Sequence, residues 1–279
     1  MPDWRPLIVR RKDGYPRIMG VINITPDSFF EDSRSNNISE TIKIAQSMIQ
    51  NGADWLDVGG ESTRPGADPV EEEEEISRVV PVIRELRKKF PEIGISVDTR
   101  RSEVAKLSLE EGADMINDVS ALSDENMINI IKQSDCYICL MHMKGLPENM
   151  QDDPQYDDVV AEVRSRLNEK VSLLIREGID RERIIVDPGI GFGKLLEHNL
   201  LLLKSGREVI PLSNVKLMWG VSRKSMFSEL LGRIEARDRL AGTLGIAAMS
   251  KLKAVDIIRV HDVAEHADLF RAMSSLEDF

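Results

Sequence analysis

The chain repeats one pattern eight times: a short apolar run rich in β-branched residues, then a longer amphipathic stretch. The runs are Arg17 to Asn23, Trp55 to Val58, Ile95 to Val97, Met115 to Asp118, Tyr137 to Met141, Ile184 to Asp187, Val215 to Gly220 and Ile257 to Val260. They are continuous rather than alternating, which suits parallel strands buried on both faces. The stretches between them read as helices: Ser39 to Asn51, Val70 to Lys89, Ser102 to Glu111, Asn126 to Gln133, Asp157 to Glu177, Glu197 to Val209, Lys224 to Leu231 with Arg237 to Leu252, and Val263 to Met273. Gly52, Gly112 and Gly178 each fall between a helix and the next strand, where a left-handed cap is usual. Eight such units in 279 residues are the normal size of an α/β protein built as a (β/α)8 TIM barrel. The rival, an open doubly wound sheet, rarely needs eight regular units, and the first unit has no dinucleotide-binding glycine fingerprint. No linker or composition shift divides the chain, so residues 1–279 read as one domain.

Asp and Glu number 48 against 37 Lys and Arg, a formal net charge of −11. Nucleic-acid and anionic-membrane binding need a basic footprint and are not expected. No run of about 18 apolar residues occurs, so no transmembrane helix is expected. The N-terminus carries no apolar signal stretch, so the expected location is the cytoplasm. Cys136 and Cys139 form the only C-x-x-C. The pair lies in an apolar strand-like run, where residues three apart point to opposite faces. It is expected to be structural rather than redox-active or zinc-binding. The acidic run Glu71 to Glu75 reads as a solvated helix start.

In a barrel of this kind the chemistry sits at the C-terminal ends of the strands. Those ends read Asn23, Asp57, Asp98, Asn117, His142, Asp187, Ser222-Arg223-Lys224, and Arg259 with His261. One such ending can be a helix cap, but a whole rim of them points to a polar pocket. Converging carboxylates and amides read the donor and acceptor edge of a heterocycle. Arg64, Arg223, Lys224, Arg259 and His261 form a cationic set in an acidic chain, suited to phosphate or carboxylate oxygens. Ser222-Arg-Lys-Ser225 opens a helix after the seventh strand, a frequent anion site. Asp187-Pro-Gly-Ile-Gly-Phe-Gly-Lys194 is not a Walker A loop, because Leu195 follows Gly-Lys. It indicates only close backbone approach. The segments Thr25 to Ile38 and Gly59 to Pro69 read as long functional loops.

Taken in order, these motifs resemble those of the dihydropteroate synthases over nearly the whole chain. They are Met19-Gly-Val-Ile-Asn-Ile-Thr-Pro-Asp-Ser-Phe29, Asp57-Val-Gly-Gly-Glu-Ser-Thr-Arg-Pro-Gly66, Ser96-Val-Asp-Thr99, Ile116-Asn-Asp118, Leu140-Met-His-Met143, Asp187 to Lys194, Ser222-Arg-Lys-Ser225 and Arg259-Val-His261. The resemblance implies a folate-synthesis enzyme joining 4-aminobenzoate to 6-hydroxymethyl-7,8-dihydropterin pyrophosphate, with release of pyrophosphate. By position it implies a pterin pocket of Asp98, Asn117, Asp187 and Lys224, with Met141 and Phe192 on its apolar side. Asn23, Thr63, Arg64, Arg259 and His261 match the pyrophosphate site, with Asn23 the expected Mg2+ ligand. Arg64, Arg223 and Ser225 match the aminobenzoate site. A homodimer is the family expectation. The chain departs from the family at Ile190, where Phe is common, and at Phe30 to Arg34.

The implied reaction runs through a pterin methylene cation, so it needs no nucleophilic side chain. Asp98, Lys224, Arg259 and His261 are the residues expected at the chemistry, with Asp98 offsetting the cation's charge. Three other readings share parts of this pattern. A methyltetrahydrofolate:corrinoid methyltransferase-like barrel would not need the Ser222–Ser225 helix start or Arg259-Val-His261. A catalytically silent pterin-binding barrel would be expected to have lost ionic residues, and none is lost. A sulfonamide-insensitive variant of the synthase would be decided by loop geometry.

Overall fold

The computed structural model describes residues 8–24, 34–61, 70–145, 150, 152, 154–210 and 212–277, with side chains of the first helix from Ile38 onward. Eight parallel strands close in sequence order into a barrel. They are β1 (Arg17–Asn23), β2 (Trp55–Gly59), β3 (Gly94–Asp98), β4 (Met115–Asp118), β5 (Tyr137–Met141), β6 (Ile184–Asp187), β7 (Lys216–Trp219) and β8 (Ile257–Val260). The helices outside are α1 (Arg34–Gln50), α2 (Glu72–Lys89), α3 (Ser102–Glu110), α4 (Met127–Gln133), α5 (Val159–Arg176), α6 (Leu196–Ser205), α7 (Met226–Leu231), α8 (Leu240–Ala247) and α9 (Val263–Glu277). Among the described residues no helix is long and apolar enough to cross a membrane.

Strand periodicity divides the side chains into two cores. Ile18, Ile22, Leu56, Val58, Ile95, Val97, Ile138, Val186 and Ile258 point outward and pack against the helices. The alternate positions Met19, Trp55, Met115, Cys139, Ile185, Met218 and Ile257, with Ile8 from the segment before β1, fill the lower barrel. Cys136 belongs to the outer core and Cys139 to the inner one, and both are free and buried.

The bottom rim reuses one device. After α1, α3 and α5 a glycine in left-handed conformation (Gly52, Gly112, Gly178) ends the helix. Its N–H donates to the carbonyl three residues back. Asp54 and Asp114 then tie into the strand alongside. The Asp54 N–H donates to the Ile18 carbonyl (2.8 Å) and its carboxylate accepts the Ile18 N–H (2.8 Å). Asp114 treats Ile95 the same way (2.7 and 2.9 Å), as does Asp256 with Leu217 (2.8 and 2.8 Å). Arg11 and Arg17, Arg87, and Arg207 neutralise the three carboxylates in turn.

Two expectations are corrected. Helix α1 begins at Arg34, inside the expected loop Thr25 to Ile38. Ile38, Ile42 and Ala45 line up on one face and pack on the barrel, so burial carries the helix a turn above the polar Ser35-Asn36-Asn37. Glu75, read as part of a solvated acidic run, is fully buried. It accepts from Arg101, which reaches over from the β3–α3 turn.

Candidate active site

Above the apolar floor, the inward positions turn polar. Register places Asn23, Gly59, Asp98 and Asn117 on one row across β1 to β4, and Met141 beside Asp187 across β5 and β6. Arg259 enters from β8. Its Nε donates to Asp57 Oδ2 (2.6 Å) and its Nη2 to Asp98 Oδ2 (2.7 Å). Asn117 Nδ2 donates to the same Asp57 oxygen (3.3 Å). Asp57 is completely buried, and among the described residues its Oδ1 has no hydrogen-bond partner. Asp57 therefore joins two expected site residues, although it was given no role from sequence. The signal was its place at a strand end, but only closure of the barrel brings Arg259 against it.

Electrostatics follow from this burial. Burial drives the Asp98 pKa upward, Arg259 opposes it and Asp57 adds to it, leaving Asp98 at about 7. Burial also raises Asp187, with the Gly189 N–H (2.7 Å) and Lys224 acting against the rise. Burial would lower Arg259, but Asp57 and Asp98 outweigh it and hold the guanidinium firmly charged. Small residues leave space beside the acids. A Cβ on Gly59 would lie 3.4 Å from Asp98 Cβ, and one on Gly220 would lie 3.3 Å from Asp187 Oδ2.

One wall is apolar. Met141 and Phe192 pack with Val119 and Met150, and Lys224 Nζ sits 3.9 Å from the centre of the Phe192 ring, a cation–π contact. Phe192 lies on the glycine-rich segment, where Gly189, Gly191 and Gly193 all have positive φ. The close approach expected of that segment is to the protein itself. A Cβ at Gly189 would run into the His142 carbonyl, and one at Gly193 into that of Lys144. Lys194 bolts the contact from behind. Its Nζ donates to the carbonyls of Phe192 (2.8 Å), Gly189 (3.0 Å) and His142 (3.3 Å) and lies 3.1 Å from His142 Nδ1. Burial lowers Lys194 to about 7, and burial with the Lys194 charge lowers His142 to about 3, so His142 is a neutral ring.

Between the β7 and β8 loops, Ser222 Oγ contacts His261 Nδ1 (2.9 Å) and accepts the His261 N–H (3.2 Å). Ser225 is exposed at the start of α7. Arg223, expected at the aminobenzoate site, is held within the protein. Its Nε and Nη2 grip Asp262 (2.8 and 2.6 Å), and its Nη1 donates to the carbonyls of Ala236 (3.0 Å) and Arg237 (2.9 Å). Four of its five N–H donors are thus engaged within the protein. Arg223 also has a φ of +55°, which costs a non-glycine residue about 1–2 kcal/mol. Thr63 and Arg64 lie outside the described residues. The ends of their loop are tied, since the Val70 N–H donates to Glu61 Oε1 (3.1 Å) and Glu61 accepts from Arg100 (3.0 and 3.1 Å).

This geometry, three buried carboxylates and an amide ringed by Arg259 and Lys224 beside a Met–Phe wall, can grip a flat, nitrogen-rich ring. Comparison with known proteins agrees. The model of the pterin binding enzyme family matches residues 19–261. The dihydropteroate synthase of Escherichia coli strain K12 is 42% identical over 261 residues, 94% of this chain and 92% of that protein. The chain belongs to the dihydropteroate synthase family. Two solved members superpose closely. The Yersinia pestis synthase with a sulfonamide drug has a TM-score of 0.88 at 36% identity, covering 96% of this chain and 97% of that one. The Xanthomonas albilineans synthase with 4-aminobenzoic acid has a TM-score of 0.87 at 38% identity, covering 95% and 94%.

Proposed function

We propose that this chain condenses 6-hydroxymethyl-7,8-dihydropterin pyrophosphate with 4-aminobenzoate, giving 7,8-dihydropteroate and pyrophosphate. The observation that carries the reading is the Asn117–Asp57–Arg259–Asp98 chain of hydrogen bonds facing Asp187 and Lys224. It presents acceptors to the ring's amino and N–H edge and cations near its substituent. Asp187 and Asp98 accept from the ring, Asn117 gives and takes one bond, and Lys224 donates to a ring acceptor. Met141 and Phe192 give the ring an apolar wall. His261, with Arg259 and the loop residues Thr63 and Arg64, holds the pyrophosphate as charge moves onto it. Asp98 then lies near the developing methylene cation. The weakly basic aniline needs positioning more than a base, and we assign that to Ser225 and Arg64.

Mg2+ fits as a companion of the pyrophosphate. Among the described residues no three His, Cys, Asp or Glu side chains are grouped to hold a metal. Asn23 is exposed at the end of β1 and has one side-chain carbonyl oxygen. Mg2+ is commonly held by one or two protein oxygens together with substrate phosphates and waters. When bound, it would neutralise the leaving group's charge.

The test is direct: the purified chain, Mg2+ and both substrates should yield dihydropteroate and pyrophosphate, and neither product should form without Mg2+. Absence of dihydropteroate under these conditions would refute the reading. Asp187→Ala should weaken pterin binding by about 2–3 kcal/mol, because ring donors lose a charged acceptor; calorimetric titration measures this. We also propose a homodimer, on the apolar face made by Leu200 and Leu201 of α6, Leu230 and Leu231 of α7, Ile234, Met249 and Leu252, all exposed in the single chain. The location proposed is the cytoplasm, where free thiols such as Cys136 and Cys139 persist.

A further inference from the structure

Three successive residues after β7 reach two different segments, the loop after β8 and the glycine-rich segment after β6. Ser222 contacts His261 (2.9 Å), Arg223 grips Asp262 (2.8 and 2.6 Å), and Lys224 lies over the Phe192 ring (3.9 Å). Consecutive side chains diverge in this way because the middle residue is left-handed, with Arg223 at φ +55°. Such a φ in a residue with a Cβ persists only where the surroundings enforce it. Here they do so at every polar atom of the backbone unit. The Arg223 N–H donates to Thr243 Oγ1 (3.0 Å), and its carbonyl accepts from Arg239 Nη1 (3.0 Å). Thr243 is fully buried and donates in turn to the Arg239 carbonyl (3.0 Å). The guanidinium closes the frame through the carbonyls of Ala236 and Arg237.

The consequence is a rigid link between the two cationic segments of the site. Ser222–His261 and Arg223–Asp262 are parallel cross-ties between adjacent residue pairs, one on the β7 loop and one on the β8 loop. We propose that Arg223 is a positioning residue, which holds Lys224 at the ring pocket and His261 at the pyrophosphate pocket in fixed relation through its fork on Asp262. It does not touch substrate. This rests on the functional reading above for what the two pockets hold. Glycine would adopt the same φ without strain, so if the position served only the turn, glycine would serve it better.

Arg223→Gly, Asp262→Asn and the double variant test the proposal. Condensation kinetics should be taken with each substrate varied, and inorganic pyrophosphate with Mg2+ should be titrated calorimetrically. Both single variants are expected to lower kcat/KM for the pterin pyrophosphate about tenfold and to weaken pyrophosphate binding to a similar degree. The double variant should be no worse than either single, because both cut the same tie. Melting temperatures should stay within about 4 °C of the parent, since lost contacts are offset by relief of strain in Arg223→Gly. Two results would overturn the proposal. A rise in the aminobenzoate KM alone in Arg223→Gly, with Asp262→Asn unaffected, would make Arg223 a direct substrate contact. Additive losses in the double variant would make the two residues independent. If Arg223→Gly does not fold, Asp262→Asn with unchanged pyrophosphate affinity also refutes the link. Pyrophosphate titration needs no turnover, so failure of the condensation reaction itself is scored separately.

Discussion

At the scale of single residues, the polar layer of the barrel is a problem in burying charge. Asp57, Asp98 and Asp187 are all buried, and an unpaired carboxylate there would be very costly. Arg259 makes the layer tolerable by serving Asp57 and Asp98 together. Asp98 remains the less satisfied partner and is pushed up to about 7 by burial. Because its folded pKa lies above the unfolded one, the folded protein retains a proton that the unfolded chain has lost from about pH 4 to 7. Stability from this residue therefore declines as pH rises through that window. The ring recognition proposed for Asp98 has the opposite sign, since only the ionised carboxylate is a pure acceptor. Pterin affinity should rise through pH 7 in the parent protein. Asp98→Asn should bind pterin roughly tenfold more weakly at pH 8, show no inflection near pH 7, and be no less stable at pH 8. Calorimetry from pH 6 to 8 and thermal melts measure all three, and an unchanged inflection in the variant would assign the titration elsewhere. Asp57 shows where sequence reading stops: its position at a strand end was legible, but its partner Arg259 is 202 residues away and only closure of the sheet joins them.

At the scale of elements, strand periods were the most readable part of the chain. β1, β4, β5, β6 and β8 begin and end where the apolar runs do, because each run is buried on both faces and tolerates no polar slippage. Helix ends were less legible. α1 starts above its polar flank because Ile38, Ile42 and Ala45 pack on the barrel, a tertiary effect that local signals do not carry. The glycine-rich segment was legible as a close approach, but not that its partner is the end of β5. Wholly unread were the aspartates of the bottom rim, which sit in helix-to-strand turns and look like ordinary turn formers. In the fold each holds both backbone groups of a neighbouring residue, as Asp114 does for Ile95. Asp114→Ala would strand the Ile95 N–H and leave Arg87 without its carboxylate. The expected cost is about 1.5–3 kcal/mol, seen as a lower urea midpoint, with kcat and both KM values unchanged because the residue is at the far end from the site. A fall in kcat comparable to the loss of stability would contradict this separation of the two ends.

At the scale of the whole molecule, a barrel removes every sheet edge, so any stable assembly must use helix faces. Most helices present charge to solvent, as α2 does with Glu72, Glu73 and Arg84. The sector from α6 to the turns after α8 differs. Leu201, Leu231, Ile234, Met249 and Leu252 are all more than 40% exposed there, in a chain whose net charge of −11 opposes association elsewhere. Apolar exposure of this kind suits the proposed homodimer interface, where a two-fold pairing would let the same face serve both copies. This face is connected to the site through the 233–239 segment, whose carbonyls at Ala236 and Arg237 hold Arg223. Leu231→Asp combined with Ile234→Glu should therefore give a monomer by sedimentation at micromolar concentration. Pterin binding to that monomer should match the parent within about twofold, because the strand-end pocket is intact. Pyrophosphate affinity should fall further than pterin affinity, because the segment that braces Arg223 has lost its cover. If the variant remains a dimer, the interface lies on another face. If it is a monomer with both affinities unchanged, the brace at 233–239 is self-sufficient and dimerisation has no bearing on the site.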